Sequence, residues 1–171
     1  MYHILPDILI VDGYNLLHGW PELKKLKESS FAHARDKLIE ELVNYQAFWG
    51  GRIIIVFDSH KVLGAVEKKE WVGPVQIIYS QEGVTADAVI EKLVRNIKTK
   101  GRIYVATSDW DEQRMIMGNG ALRLPIGDLI TDIENARKEM ARKSSDTSTG
   151  IPIETRIKSA IRKVLEGWRR L

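Results

Sequence analysis

The chain has 171 residues, 44% of them hydrophobic and 29% charged, which is the balance of a folded domain rather than of a disordered chain. It contains no cysteine, and this excludes a disulfide framework, a thiolate metal site and a cysteine nucleophile. No apolar run is long enough to span a bilayer and the N-terminal residues lack the features of a signal peptide, so we expect a soluble cytoplasmic protein.

Short apolar runs alternate along the chain with segments whose apolar residues have helical spacing. In order, the pattern predicts strand 7–12, a loop or short helix over 16–30, helix 31–49, strand 52–58, a polar insert over 59–73, strand 75–79, helix 85–98, strand 102–107, helix 110–119, strand 121–124 and helix 126–143. Because strands that alternate with helices form βαβ units, we expect an α/β fold with a central, mostly parallel sheet flanked by helices.

The C-terminal part differs in composition and in charge. Residues 143–152 are rich in Ser, Thr, Asp and Gly, which predicts a linker after a domain over residues 1–142. Residues 153–171 have the apolar spacing of an amphipathic helix, and from residue 154 onward they hold six basic and two acidic side chains, a net charge of +4. Residues 1–153 hold the other 20 basic and 21 acidic side chains, a net charge of −1. The basic helix favours an anionic partner such as nucleic acid, although a solvated helix face gives the same pattern.

Acidic residues follow several of the predicted strands. Asp12 ends the first strand, Asp58 ends the second and Asp109 follows the fourth, while Asp87 and Glu91 share one face of the helix after the third. Since the carboxyl ends of parallel strands meet at one edge of a sheet, these carboxylates are predicted to converge there and to raise each other's pKa. A hard divalent cation such as Mg²⁺ or Mn²⁺ relieves that repulsion, so the pattern indicates metal-dependent phosphodiester hydrolysis.

Each of these residues also has a purely structural interpretation. Asp87 and Asp109 suit the first turn of a helix, and Asp58 suits a turn. Asn15 either orients a carboxylate or forms a turn, and Ser108 either holds a phosphate or caps a helix. The four histidines are scattered. His60 lies near Asp58 in sequence and either faces substrate or is a surface residue, and we expect the surface position.

Cations and tryptophans are interleaved in two places. The insert carries Lys61, Lys68, Lys69 and Trp71, and the segment 20–27 carries Trp20, Lys24, Lys25 and Lys27. Trp110 follows directly after Asp109. Lysines neutralise phosphates and tryptophans stack on bases, so we expect these residues to contact RNA or a ribonucleoprotein partner. A packing role is the alternative for each tryptophan.

Four ordered blocks of residues carry a family resemblance: Asp12-Gly13-Tyr14-Asn15, Phe57-Asp58, residues 82–87 and residues 106–109. Together they resemble the NYN nucleases, which are relatives of the PIN domain. Residues 105–113, 120–123 and 85–91 are most similar to the YacP-like branch. The resemblance covers residues 7–142.

The resemblance implies a PIN-like sheet and an Mg²⁺- or Mn²⁺-dependent endoribonuclease that associates with ribosomes and cuts mRNA during translation. The metal-binding acids of the family fall on Asp12, Asp87 and Asp109, with Asn15 and Asp58 in supporting roles. Ser108 is added by the nuclease hypothesis itself, as a residue that orients ligands and phosphate. Val84 and Ala88 make the surroundings of Asp87 less polar than we expect for this family. A non-catalytic RNA- or ribosome-binding module on the same fold is therefore the alternative.

Other α/β phosphate chemistries fit the sequence less well. A receiver domain needs a Lys at the end of its fifth strand, where Leu124-Pro125 stands. A P-loop hydrolase needs a Gly-Lys-Ser/Thr segment, which the chain lacks. A haloacid-type phosphatase needs a second Asp two places beyond Asp12, where Tyr14 stands.

Overall fold

The computed structural model describes residues 6–108 and 118–146. Compactness divides the chain into two units, Met1–Arg137 and Lys138–Leu171. The first unit contains the sheet. In the second, the structure describes the last turns of one helix, up to Asp146. Within the described ranges, no helix has the length and apolarity needed to cross a membrane.

Six strands and five helices alternate along the described chain. In order they are β1 (Ile8–Asp12), α1 (Gly13–Gly19), α2 (Pro21–Ser29), α3 (Phe31–Trp49), β2 (Arg52–Phe57), β3 (Lys68–Val72), β4 (Val75–Tyr79), α4 (Ala86–Asn96), β5 (Ile103–Ala106), β6 (Leu122–Leu124) and α5 (Ile126–Asp146).

The strands form one mixed sheet in the order β3-β4-β2-β1-β5-β6. All neighbouring strands are parallel except β3, which pairs antiparallel with β4. The chain passes from β1 to β2 on one side and reaches β5 on the other, so β1 marks the point where the strand order reverses. In open α/β sheets, binding sites form at the carboxyl end of the strands at such a point.

Both faces of the sheet are buried, as the apolar runs predict. Along β1, Leu9 and Val11 join a core with α1, α2, α3 and the start of α5, whereas Ile8 and Ile10 join a second core with α4. This alternation follows from the two-residue period of a strand. The carboxyl end of β1 is therefore held rigidly from both sides.

A buried carboxylate links two helices on the face of the sheet that packs against α1, α2 and α3. The side chain of Glu41 is only 9% exposed, and its two oxygens lie 3.3 Å from Lys37 Nζ and 2.9 Å from an Arg137 nitrogen. Lys37 also pairs with Glu40 at 3.3 Å and Arg137 with Glu22 at 3.7 Å, but both of those carboxylates are exposed. We therefore expect the buried contact between Glu41 and Arg137 to tie α5 to α3.

The structure corrects three details of the prediction. The segment 16–30, predicted as a loop or a short helix, forms parts of two helices, α1 and α2, which are separated at Trp20. The polar insert contains a strand, β3, at the edge of the sheet. Its Lys-rich sequence does not indicate a strand, because it is exposed over most of its length. Helix α5 continues to Asp146, so the first four residues of the predicted linker are helical. Most of the predicted helix 110–119 and all of the predicted helix 153–171 lie outside the described residues.

Candidate active site

The site begins at the junction of β1 and α1. Asp12 is the last residue of β1 and also the N-cap of α1, with φ −71° and ψ 105°. Its Oδ1 accepts a hydrogen bond from the backbone N–H of Asn15 and its Oδ2 accepts one from Asn15 Nδ2, each at 3.1 Å. Aspartate is a preferred N-cap residue because its carboxylate satisfies a free helical N–H. The cap thereby fixes the Asp12 carboxylate at the rim of the sheet.

Gly13 lets the backbone of α1 approach β2 closely. A Cβ atom at Gly13 would lie 2.5 Å from Cε1 of Phe57, which is fully buried, so no larger residue fits without a shift. Tyr14 covers the same ring, with centroids 5.3 Å apart. The Asp-Gly-Tyr segment is therefore packed directly against the end of the neighbouring strand.

Asn15 links this turn to the segment after β5. Its Nδ2 also donates to Oγ1 of Thr107 at 3.0 Å, and Thr107 is fully buried. Because both hydrogens of the amide are engaged, the orientation of Asn15 toward Asp12 is fixed. Ser108 follows Thr107 and is exposed at this edge, while Asp109 lies outside the described residues.

Asp58 connects the end of β2 with the start of α4. Its Oδ1 accepts from the backbone N–H of His60 at 2.9 Å and lies against Nδ1 of the His60 ring, and its Oδ2 accepts from the N–H of Ala86 at 3.1 Å. Burial alone would raise the pKa of Asp58, but these hydrogen bonds outweigh it and hold the pKa below its ordinary value. Asp58 therefore positions Asp87, the residue after Ala86, next to the turn at Asp12.

The carboxylates of Asp12, Asp58 and Asp87 line one pocket of about 360 Å³ at the carboxyl edge of the sheet. Burial is the main reason why the pKa of Asp12 rises from 3.8 to about 6, and the negative charges of Asp87 and Asp58 add to it. The bond from the Asn15 backbone acts in the opposite direction. The structure thus brings three of the predicted strand-end and helix-start acids together at this edge. The predicted rise in pKa is found for Asp12 and is wrong for Asp58, because hydrogen bonds lower the pKa of Asp58.

The donor chemistry of the pocket fits Mg²⁺ or Mn²⁺. Both ions prefer oxygen ligands, and a cation next to Asp12 and Asp87 would offset the cost of ionising a buried carboxylate beside another one. Among residues 6–108 and 118–146, however, no three His, Asp or Glu side chains form a metal-binding cluster. Both oxygens of Asp58 accept hydrogen bonds, which suits a supporting role. A third ligand at Asp109 stays a prediction.

The remaining predicted residues differ in their relation to the pocket. Lys61 lines it, whereas Glu91 does not and instead binds the guanidinium of Arg95 one turn further along α4. Lys68 and Lys69 are exposed on β3 and pair with Glu70 at 2.9 Å and Glu67 at 3.1 Å.

Trp71, also on β3, is 55% exposed, which leaves its ring available for contact. Trp110 lies outside the described residues.

Three pocket residues were missed or misjudged from the sequence. His60 was expected to be an ordinary surface residue, yet its ring lies against Asp58 in the wall of the pocket. Tyr14 and His18 also line the pocket, since the first turn of α1 projects them beside Asp12. Positions 12, 14, 15 and 18 share one side of the turn and helix, and this spacing was the available signal.

The fold and the acidic pocket together define an NYN-type domain, which has a nuclease-type fold. Residues 9–170 match the YacP-like NYN domain, and the chain belongs to this family. It is 42% identical over 168 residues to the protein YacP of Bacillus subtilis (strain 168), a match that covers 96% of this chain and 97% of that protein.

Two solved structures extend the similarity to three dimensions. The crystal structure of Rae1 (YacP) from Bacillus subtilis matches with a TM-score of 0.74 at 41% identity, covering 96% of this chain and 95% of that one. The crystal structure of a mutant of Rae1 (YacP) matches with a TM-score of 0.73 at 40% identity over 86% of each chain. The resemblance drawn from the sequence motifs and the predicted fold class are both confirmed.

Proposed function

We propose that the protein is a metal-dependent endoribonuclease that cleaves mRNA in the cytoplasm, in association with translating ribosomes. The observation that carries this proposal is the pairing of Asp12 with Asp87 in one pocket, where burial and mutual repulsion hold the pKa of Asp12 at about 6. Such an arrangement costs stability and is maintained where the carboxylates serve a site. Membership of the YacP-like NYN family supports a nuclease over other uses of the same edge.

Asp12 and Asp87 would hold Mg²⁺ or Mn²⁺, with Asp109 as the predicted third ligand. When bound, the ion supplies charge stabilisation for the phosphoryl group and a lowered pKa for water. Asn15 keeps the Asp12 carboxylate oriented through its two hydrogen bonds. Asp58 holds the start of α4, so that Asp87 stays beside Asp12.

The proposed reaction is hydrolysis of an internal phosphodiester bond. The oxygen of a water molecule forms a bond to phosphorus, the bond from phosphorus to the 3′ oxygen breaks in line, and that oxygen takes a proton. The products are a 3′-hydroxyl and a 5′-phosphate. Ser108, which is exposed beside the buried Thr107, would donate a hydrogen bond to a phosphate oxygen.

Contacts to RNA or the ribosome are proposed for Lys61, Lys68, Lys69, Trp71 and Trp110. Lys61 lies in the pocket wall, and Trp71 with the two β3 lysines forms an exposed edge of the sheet. Cations and exposed rings at one edge are typical of RNA-binding surfaces.

A second candidate is a non-catalytic RNA- or ribosome-binding module. The apolar neighbours of Asp87 in the sequence, Val84 and Ala88, favour it, as does the basic C-terminal segment. This candidate predicts that ribosome binding survives Asp12→Asn and Asp87→Asn, while the wild-type protein cuts no RNA.

Purified protein, a labelled mRNA fragment and Mg²⁺, with and without ribosomes, test the two candidates. We expect Asp87→Asn to lower the cleavage rate by at least about 100-fold. Loss of a residue that only supports a metal ligand costs up to about 100-fold, and Asp87 is proposed as a ligand itself. Glu91→Gln is the matched control, since it lies on the same helix and pairs with Arg95 outside the pocket. It should change the rate by no more than about twofold. Equal rates for Asp87→Asn and wild type would contradict the nuclease proposal.

A further inference from the structure

We propose that a strip of alternating cations and aromatic rings binds single-stranded RNA and leads it into the acidic pocket. This cation–aromatic strip consists of Lys27, Phe31, Arg35, Tyr79 and Lys68. The inference rests on the proposed nuclease function, because it assigns the path of the substrate to that same pocket.

The strip is continuous with the pocket through two residues of α1. Tyr14 lines the pocket, and its ring centroid lies 5.4 Å from that of Phe31. His18 also lines the pocket, and its Nε2 lies 2.6 Å from Lys27 Nζ. A strand that leaves the pocket over α1 therefore meets Phe31 and Lys27 first.

The aromatic members of the strip pack against neighbouring rings and remain partly exposed. Phe31 is the first residue of α3. It remains 40% exposed although its ring packs against Tyr14. Tyr79 is half-buried and stacks on the fully buried Phe57, with centroids 5.6 Å apart and planes 20° apart. Partly exposed rings that are held in place by their neighbours can contact unstacked bases.

The cations lie over these rings. Lys27 Nζ is 6.0 Å from the Phe31 centroid, while the Arg35 guanidinium and Lys68 Nζ are 5.9 Å and 5.6 Å from the Tyr79 centroid. Lys68 is also held by Glu70, which accepts a hydrogen bond from the Tyr79 hydroxyl at 3.2 Å. The positive charges are thus spaced along the strip rather than gathered at one point.

Arg35 retains capacity for an anion. The Arg35 side chain is 32% exposed, and its ion-pair contact within the described ranges, to Asp36, is long at 3.9 Å. Its charge also reaches the pocket wall: burial raises the pKa of Tyr14, and Arg35 opposes that rise. A phosphate oxygen is the natural acceptor for a guanidinium placed in this way.

Charge and stacking together specify the ligand. A pocket with three carboxylates repels a polyanion, so cations at its rim are needed to bring a phosphate backbone close. Bases reach Phe31 and Tyr79 only when they are unstacked, and a duplex keeps its bases stacked. A single-stranded RNA satisfies both conditions.

The test uses a fluorescein-labelled oligouridylate of about 12 nucleotides, a length within the usual site sizes for single strands, in EDTA so that cleavage does not interfere. Fluorescence anisotropy gives the dissociation constant, and an RNA duplex of the same length serves as the competitor. Phe31→Leu keeps an apolar side chain against Tyr14 and removes the ring. Phe48→Leu is the matched control, because Phe48 is 44% exposed near the other end of the same helix.

We expect Phe31→Leu to weaken binding about tenfold, as loss of one stacked base does, and Phe48→Leu to change it less than about twofold. Lys27→Ala should lower the slope of log affinity against log salt by about 0.7, and Lys24→Ala, on the same helix, should lower it less. Circular dichroism of each variant verifies that the fold is retained.

Three results would overturn the inference: no binding by the wild-type protein, equal effects of Phe31→Leu and Phe48→Leu, or stronger competition by the duplex. The outcomes separate the strip from the nuclease. Cleavage that depends on Asp87 with binding insensitive to Phe31 refutes the strip alone. Binding that depends on Phe31 without any cleavage supports the strip and refutes the nuclease.

Discussion

Replacing Asp12 by Asn should stabilise the protein at neutral pH while removing its activity. The Asp12 side chain is nearly inaccessible, at 7% exposure, and the pKa of its carboxyl rises from 3.8 to about 6 on folding. The folded state therefore binds the proton more tightly than the unfolded state. Stability from the protonated form is fully present below about pH 4 and is lost as the pH rises through about 6.

The magnitude follows from the shift. A shift of about two pKa units corresponds to about 3 kcal/mol of unfavourable free energy once Asp12 is ionised. In the wild type, the Asn15 amide donates a hydrogen bond to Asp12 Oδ2. In Asp12→Asn, one side-chain oxygen becomes an amide nitrogen that cannot accept this bond, so part of the gain in stability is lost. This offset does not depend on pH. The free-energy difference between variant and wild type should therefore be about 2 kcal/mol larger at about pH 7.5 than at about pH 4.

Urea denaturation of both proteins across this pH range measures the difference. Groups that titrate identically in the two proteins cancel. If the difference in free energy of unfolding stays constant from about pH 4 to about pH 7.5, the reasoning is refuted. Ionisation of Asp12 would then not destabilise the folded state. Mg²⁺ should raise the melting temperature of the wild type and not that of Asp12→Asn, and EDTA should reverse the increase.

Three other substitutions have predicted effects on the free energy of unfolding. Asp58→Ala removes the acceptor of two backbone N–H groups and should cost about 1–3 kcal/mol in urea denaturation at neutral pH, the opposite sign to Asp12→Asn. Glu41→Ala removes a buried carboxylate with two cationic partners and should cost about 1–3 kcal/mol, and a thermal melt unchanged from wild type would contradict this. Gly13→Ala places a Cβ 2.5 Å from the ring of Phe57 and should cost about 1–3 kcal/mol by calorimetry, whereas Gly127→Ala in α5 meets nothing within 4 Å and should not destabilise.

The central part of the fold was predictable because its signals are strong. The apolar runs of β1 and β2 are buried on both faces, and α3 matches its predicted range of 31–49, ended by Gly50 with φ 82°. Such runs have few alternative structures. The β3 edge strand was not predictable in this way because most of its side chains are exposed and charged, so its position depends on pairing with β4.

The site residues whose location follows from the order of the strands were predictable from the sequence. Those whose location depends on side-chain contacts between distant parts of the chain were not. Asp12 and Asp58 stand at strand ends, so the topology alone brings them to one edge. The hydrogen bond from Asn15 to Thr107 joins residues far apart in sequence, so no local sequence pattern predicts it. Glu91 shows the limit of spacing arguments: it follows Asp87 by one turn, yet it turns to Arg95.

Cleavage of an mRNA in a translating bacterial extract, with new 5′ ends mapped, tests the central claim most directly. Wild type, Asp87→Asn and Glu91→Gln are compared, and the same mRNA is also tested free of ribosomes. The account predicts new 5′-phosphate ends with wild type and Glu91→Gln, their loss with Asp87→Asn, and their dependence on translation. Ends that persist with Asp87→Asn, or no ends in any reaction although the protein binds ribosomes, would contradict it.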